Sequence, residues 1–365
     1  MLYEILYPLK DLFSPLNIFQ YITFRAAGAA ISALLISFLI GPKIIRILLS
    51  LQIGETINII GPKSHHTKKG TPTMGGVIII LSIILPTILW TRLDNIYIQI
   101  MLLSTVWMGI IGFADDYLKI IKKMPKGLIA RYKMAGLIIL GLIICLILKK
   151  SGLTNITTTS LPFVANGQID LGFFYYILII LVVSGTSNAV NLTDGLDGLA
   201  TGLVAVATLV FGMIAYISGR VDFSDYLNII YIPGGGELFI YCMALVGSCI
   251  GFLWYNAYPA SIFMGDTGSL SLGAALGTLS ILLKKEILLI IIGGVFVIET
   301  ISVIIQVLYF KYTKRKFGEG RKFFKMAPLH HHYELSGWHE NLVVVRFWII
   351  GVLLALMSIT TFKVQ

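Results

Sequence analysis

Two aspartates in succession, Asp115 and Asp116 of FADDYLK, stand where an apolar run gives way to basic sequence. A second pair, Asp194 and Asp197 of NLTDGLDG, follows another apolar run, and Asp266 of FMGDTGS precedes a third. Carboxylates in such numbers can hold a divalent cation, set up a phosphate oxygen as a nucleophile, or do no more than end helices. Neighbouring helical side chains point about 100° apart, so of Asp115 and Asp116 one is left for a cavity while the other pins the helix end. Two acids at a helix C-terminus oppose the macrodipole, which makes capping a poor sole explanation. The competing account is a solvated interfacial pair with Lys119 as its i+3 partner. Asp194 and Asp197 are spaced i, i+3 and share a face if the next helix starts there, although acids in a first turn are favourable through the dipole alone. Gly195 and Gly198 leave room for close backbone approach, and Asn188 and Asn191 bring amides to the same corner.

Asp266 reads as the N-cap of the following helix, with the amides of Thr267, Gly268 and Ser269 behind it able to hold phosphate. Capping alone would also place an aspartate there, and the run GSLSLGAALG reads equally as a helix-packing face. Phe263, three residues earlier, is either an interfacial anchor or a stacking surface for a flat ring. The stretch TPTMGG, with Thr73 behind Lys68 and Lys69, is a second loop-to-helix junction of hydroxyls and glycines, suited to an anion cradle. His330, His331 and His332, with His339 nearby, offer a metal site, a proton donor, a phosphate contact or a chance cluster; their basic surroundings argue against the main cation site. Glu299 and Gln306 lie seven apart on one helix face, and an acid near mid-membrane demands a partner, so the first reading is glue inside a bundle.

The elements that must position these groups are membrane spans. Of 365 residues, 57% are hydrophobic and 13% charged, too apolar for a soluble domain of this length. Ten apolar stretches, at 18–40, 74–91, 96–114, 132–148, 173–190, 199–217, 238–256, 268–283, 287–310 and 343–361, can each cross a hydrocarbon core of about 30 Å as helices. The expected fold is an all-α polytopic membrane protein of about ten transmembrane helices, one integral membrane domain over 1–365 without internal repeats. Net charge is +10, and 19 of the 28 Lys and Arg residues fall in the loops joining spans 1 to 2, 3 to 4 and 9 to 10, with their helix ends. That asymmetry puts the odd-to-even loops in the cytoplasm and both termini on the outer side, and it accounts for the charge with no nucleic acid as partner. The odd-to-even loops carry the acid, amide and histidine clusters, so a cytoplasmic-face site is expected from 41–75, 114–132, 188–199, 256–268 and 311–343. The stretch YEILYPLKDLFSPLN lacks a basic n-region and a cleavage site and is not read as a removable signal. Cys145, Cys242 and Cys249, odd in number and inside apolar runs, suggest neither disulfides nor zinc. In the outer loop 151–172, β-branched runs around Ala-Asn-Gly predict a short hairpin.

Carboxylates, lysines, histidines and helix starts on one membrane face suit a divalent cation and a diphosphate substrate, with charge neutralised as a phosphoryl group passes between two oxygens. No Walker or dinucleotide motif is present. GTPTMGG, FADDYLK, NAVNLTDGLDGLA, WYNAYPASIFMGDTGSL and MAPLHHHYE, in this order over most of the chain, resemble the phospho-N-acetylmuramoyl-pentapeptide transferases (translocase I), within the polyprenyl-phosphate N-acetylhexosamine-1-phosphate transferase superfamily. The resemblance implies a homodimeric ten-helix enzyme of the bacterial cytoplasmic membrane. Such an enzyme moves phospho-MurNAc-pentapeptide from UDP-MurNAc-pentapeptide to undecaprenyl phosphate with Mg2+, giving lipid I and UMP in peptidoglycan synthesis. It further implies that Asp115 activates the lipid phosphate and that Asp266 is the magnesium ligand, with Asp116 completing the acidic set. Asn188, Asp194, Asp197, Asn256 and Phe263, the last as a uracil-stacking ring, would border the uridine pocket, with Asn191 beside them. Lys68, Thr73, Lys119 and Gln306 would contact nucleotide or diphosphate, and His330, His331 and His332 would line the same site. The expected step is direct attack of the lipid phosphate on the β-phosphorus, with a double displacement through an aspartyl-phosphate as its rival. A sister enzyme transferring GlcNAc-1-phosphate would share the acidic motifs, whereas MAPLHHHYE and GTPTMGG favour the muramoyl branch. A secondary transporter would place its acids at the bilayer midplane between inverted repeats, and neither is visible here.

Overall fold

In the computed structural model, the residues described are 1–51, 70–124, 127–153, 155–164 and 167–363. Each of the ten apolar stretches is helical, because a backbone in hydrocarbon must satisfy its own N–H and C=O groups. After a short α1 (Leu2–Leu6) come α2 (Ile22–Ser50), α3 (Gly76–Trp90), α4 (Ile96–Ile120) and α5 (Ala130–Lys150). Next are β1 (Thr158–Ser160), β2 (Gln168–Asp170), α6 (Phe174–Thr193), α7 (Leu199–Ser218), α8 (Val221–Leu227) and α9 (Gly236–Asn256). The chain finishes with α10 (Gly265–Leu282), α11 (Glu286–Ile292), α12 (Gly294–Phe317), α13 (Leu329–Glu334) and α14 (Glu340–Thr360). The strands pair antiparallel with Thr158 opposite Asp170, which is the hairpin expected in the 151–172 loop.

Among the described residues eight helices, α2, α4, α5, α6, α7, α9, α12 and α14, are long and apolar enough to cross a membrane. The apolar α3 has only 15 residues. The span predicted at 287–310 is two helices, α11 and α12, broken at Gly293. At the centre lies α10, buried continuously from Thr267 to Leu282, which explains how a helix so rich in Gly, Ser and Ala survives in a bilayer. It has no lipid to face. A Cβ on Gly273 would lie 2.6 Å from the Cα of Ser187 in α6, so small residues set the helix spacing. Hydroxyls stitch the contacts: Ser271 donates to the carbonyl of Thr105 in α4 (2.8 Å) and Ser187 to that of Leu270 (2.9 Å).

The end of the bundle away from the acid motifs is closed by buried polar groups. Glu286 accepts O–H groups from Thr159 (2.5 Å) and Tyr175, while Lys284 donates to the carbonyl of Ile156 (2.5 Å) and to the Tyr175 hydroxyl (3.1 Å). Burial pushes the Lys284 ammonium down to about 8. Arg25 of α2 and Glu237 of α9 form a two-pronged pair at 2.6 and 2.9 Å, and Glu237 also accepts the amide of Arg92. Cys145, Cys242 and Cys249 are free and buried, as expected of small core residues.

Candidate functional site

The last two turns of α4, the first turn of α5, the end of α6 and the start of α10 meet at the basic end of the bundle. Asp115 is wholly buried and Asp116 nearly so, and one oxygen of each lies within 4.8 Å of the other and of a carboxylate oxygen of Asp266. The two neighbours do different things. Asp115 Oδ2 faces the ammonium groups of Lys119 (2.5 Å) and Lys133 (2.9 Å), and its Oδ1 accepts the amide of Leu128 at 2.7 Å. Gly127 makes this possible: its φ is +53°, and a Cβ there would lie 2.6 Å from Asp115 Oδ1. Asp116 instead accepts the amides of Asp266 (3.1 Å) and Thr267 (2.9 Å) and the Thr267 hydroxyl (2.6 Å). It therefore caps a helix to which it does not belong.

That observation corrects the sequence reading of Asp266 as an N-cap. The α10 helix begins at Gly265, its N-cap Met264 offers no side-chain acceptor, and Asp266 sits inside the first turn. Freed from capping, Asp266 Oδ2 meets Lys133 (2.5 Å) and Lys119 (3.3 Å), while its Oδ1 accepts from Asn191 Nδ2 (3.1 Å). Asn191 also donates to Ser269 (2.8 Å). Lys119 pairs with Asp115 four residues back, not with Asp116 three residues back, so the solvated i+3 pair does not form. Lys133 was not singled out in the sequence. Its signal is weak but physical: a cation in the first turn of α5 opposes the helix dipole and so needs an anionic partner elsewhere.

Asp194 and Asp197 do not share a helical face. Asp194 is the C-cap of α6, and α7 begins only at Leu199, after Gly198 at φ +79°. The buried Asp197 accepts the Ala260 amide (3.0 Å), and its own amide donates to Glu340 (2.8 Å). Asn256 is likewise a tie: its Oδ1 accepts from Gly198 N (3.1 Å) and the Thr201 hydroxyl (3.2 Å), and its Nδ2 donates to the Ile262 carbonyl (3.0 Å). Asn188, a turn before Asn191, donates to the Ser184 carbonyl (2.8 Å) and not to the acid cluster.

The expected anion cradle at TPTMGG is occupied by protein. The amides of Gly75 and Gly76 donate to the carbonyls of Phe263 and Met264, both at 2.8 Å, and the Phe263 amide donates to Pro72. Thr73 is buried in this ladder, and the half-buried Phe263 is held by it; Lys68 lies outside the described residues.

The histidine segment is hung from α12. Glu299, fully buried, accepts the amides of Leu329 (2.7 Å) and His330 (3.2 Å), so it caps α13. Seven residues on, Gln306 Oε1 accepts the amides of Phe323 (3.1 Å) and Phe324 (2.8 Å). His330 is buried against Gly195, where a Cβ would lie 2.2 Å from its Nε2. His331 Nδ1 pairs with Glu334 (2.9 Å), and His332 Nδ1 accepts the Lys325 amide (3.1 Å).

The helices, their small-residue centre and the acid and lysine cluster at one end define an integral-membrane glycosyl transferase. The family model for glycosyl transferase family 4 matches residues 98–284, and the phospho-N-acetylmuramoyl-pentapeptide-transferase signature 1 matches residues 68–80. Curated phospho-N-acetylmuramoyl-pentapeptide-transferases are similar along the whole chain: 51% identity with that of Thermodesulfovibrio yellowstonii, 51% with that of Desulfosudis oleivorans and 49% with that of Desulfotalea psychrophila, each covering 100% of both proteins. The chain belongs to the phospho-N-acetylmuramoyl-pentapeptide-transferase family and is a multi-pass protein of the bacterial inner membrane.

Proposed function

We propose that this protein transfers phospho-MurNAc-pentapeptide from UDP-MurNAc-pentapeptide to undecaprenyl phosphate, producing lipid I and UMP for peptidoglycan synthesis. The observation that carries the site assignment is the convergence of Lys119 and Lys133 on the same oxygens of Asp115 and Asp266, next to an opening at which Asp266 keeps 16% of its side chain exposed. Carboxylates neutralised by long, mobile ammonium groups are poised to exchange those partners for phosphate-bearing ligands. The donor set fits Mg2+: all its oxygens are hard ligands, Asp266 is reachable, and Asp116 is fixed by three hydrogen bonds. Asp266, with Asp115 beside it, would hold that ion, which when bound would offset the charge on the diphosphate.

In this reading Asp115 positions the lipid phosphate and keeps it deprotonated for in-line attack on the β-phosphorus, and UMP leaves. Lys119 and Lys133 turn from carboxylate to phosphate oxygens as charge develops there. Asp116 is a positioning residue that fixes the first turn of α10, and through it Asp266. Asn188, Asp194, Asp197, Asn256 and Phe263 border the uridine, with Phe263 presenting a ring for stacking. Thr73, Lys68, Gln306, His330, His331 and His332 complete the nucleotide and sugar side. An apolar groove of about 320 Å³ between α6, α11 and α12 ends at Ala189, two residues from Asn191, and suits the prenyl chain. The site faces the cytoplasm, both termini face outward, and the enzyme acts as a homodimer.

The test is UMP release by detergent-purified protein given both substrates, with and without Mg2+, beside a reaction containing UDP-GlcNAc. Mg2+-dependent release that requires the muramoyl nucleotide and the lipid supports the reading. Release with UDP-GlcNAc instead would move the protein to the sister branch, and a phosphorylated enzyme formed from nucleotide alone would replace direct attack by double displacement.

A further inference from the structure

On the other side of α12 from the prenyl groove lies a second cavity, of about 270 Å³, between α12, α13 and α14. Val295, Ile298, Phe347 and Ile350 form its apolar wall, and Tyr333 and Trp338 stand at its rim. At about 100° per residue, Val295 and Ile298 point away from Val297, Thr300 and Ile301, which line the prenyl groove. The two cavities are therefore separate, divided by the helix itself.

The rim carries charge. Arg346 is exposed, and its guanidinium lies 4.1 Å from the centroid of the Trp338 ring, which is itself stacked on Tyr333 at 4.6 Å. Among the described residues no carboxylate lies within ion-pair distance of Arg346. The two nearest acids in sequence are turned elsewhere: Glu340 is buried and accepts the Asp197 amide, and Glu334 pairs with His331. Lys325 donates to the carbonyl of Leu335, two residues after Tyr333, at 3.3 Å. An aromatic belt residue, a held arginine and an apolar slot beneath it match the parts of a phospholipid: phosphate at the arginine, glycerol at the tryptophan, acyl chain in the slot.

We propose that the cavity between α12, α13 and α14 binds one anionic phospholipid of the inner leaflet, its phosphate on Arg346 and an acyl chain against Ile298 and Phe347. Bound there, the lipid buttresses the segment of α13 that carries the three histidines.

The experiment uses the full chain in nanodiscs of phosphatidylcholine doped with brominated phosphatidylglycerol or with brominated phosphatidylcholine of the same chains. Quenching of Trp338 is read as the difference between the wild type and Trp338→Phe. The wild type is expected to reach half-quenching at about fivefold lower mole fraction of the anionic lipid, the preference that one arginine near a surface confers. Arg346→Gln should remove that preference, Ile298→Phe should weaken quenching by both lipids by filling the slot, and Arg92→Gln, at the opposite end of the bundle, should change nothing. Native mass spectrometry of the same variants counts the retained lipid independently of fluorescence. Equal quenching by the two lipids, an unchanged preference in Arg346→Gln, displacement of the lipid by an equal mole fraction of undecaprenyl phosphate, or a loss of dimer in Arg346→Gln would each overturn the assignment.

Discussion

Both ends of this bundle hold carboxylates beside lysines, arranged to opposite effect. Beneath the hairpin, Glu286 is met by the hydroxyls of Thr159 and Tyr175, and Lys284 by a carbonyl and a hydroxyl, all on packed elements. At the other end, Asp115 and Asp266 share two ammonium groups on flexible stems, and Lys119 keeps 36% of its side chain exposed. Hydroxyls fixed by packing lock a carboxylate in place, whereas an ammonium can be exchanged for another cation. What separates a lock from a candidate reaction centre is thus the identity of the partners, not the number of acids.

The sharpest break in that comparison is Asp266→Asn, and Asp115→Asn beside it. Each should lower kcat for UMP release by on the order of 10³-fold while leaving the thermal midpoint within a few degrees, because only lysines and amides lose a partner. A loss below tenfold would put the chemistry elsewhere. Glu286→Ala should do the reverse. It strands Tyr175 and Thr159 in a buried site and costs about 3 kcal/mol in denaturant unfolding, with kcat per folded molecule preserved. Asp116→Asn should fall between the two: loss of about 1–2 kcal/mol from the α10 cap together with a lower kcat, since the same bonds aim Asp266. Unfolding and turnover measured on one preparation decide whether the two losses travel together. Phe263→Leu should raise the nucleotide KM about tenfold with little change in kcat if the ring stacks on uracil. The smallest effect is at the closed end. Burial pushes Lys284 down to about 8 from its ordinary 10.5, so its burial penalty is fully present below pH 8 and fades as pH rises toward 10.5. The denaturation midpoint should rise modestly over that window in the wild type and less in Lys284→Met, where Lys285, pushed down to about 8 by its own burial, still contributes.

The helices were legible because hydropathy is a local property: all ten stretches are helical, and the hairpin sits where the Ala-Asn-Gly turn placed it. The acid cluster was legible as composition, since Asp115, Asp116 and Asp266 stood out as acids bordering apolar runs. Their individual bonds were not. Asp266 looked like its own helix's cap because capping is judged by sequence neighbours, yet the acceptor comes from Asp116, 150 residues away. Asp194 and Asp197 looked like one face because a helix start was placed before Gly198, whose left-handed backbone delays it. Lys133 was invisible for the same reason: its partners lie on other helices.

The shortness of α3 bears on how a lipid could react at all. Its 15 residues rise about 22 Å against a hydrocarbon core of about 30 Å, and its first residues are laddered to those just before α10. The starts of α3 and α10 are thereby tied at one depth, beside the carboxylates. In the proposed reaction, a polar substrate reaching the lipid phosphate at that depth would spare the prenyl chain a climb out of the bilayer, which costs about 0.8 kcal/mol for every methylene exposed. A short α3 tied to the start of α10 would let water-soluble and oil-soluble reactants meet with neither leaving its solvent.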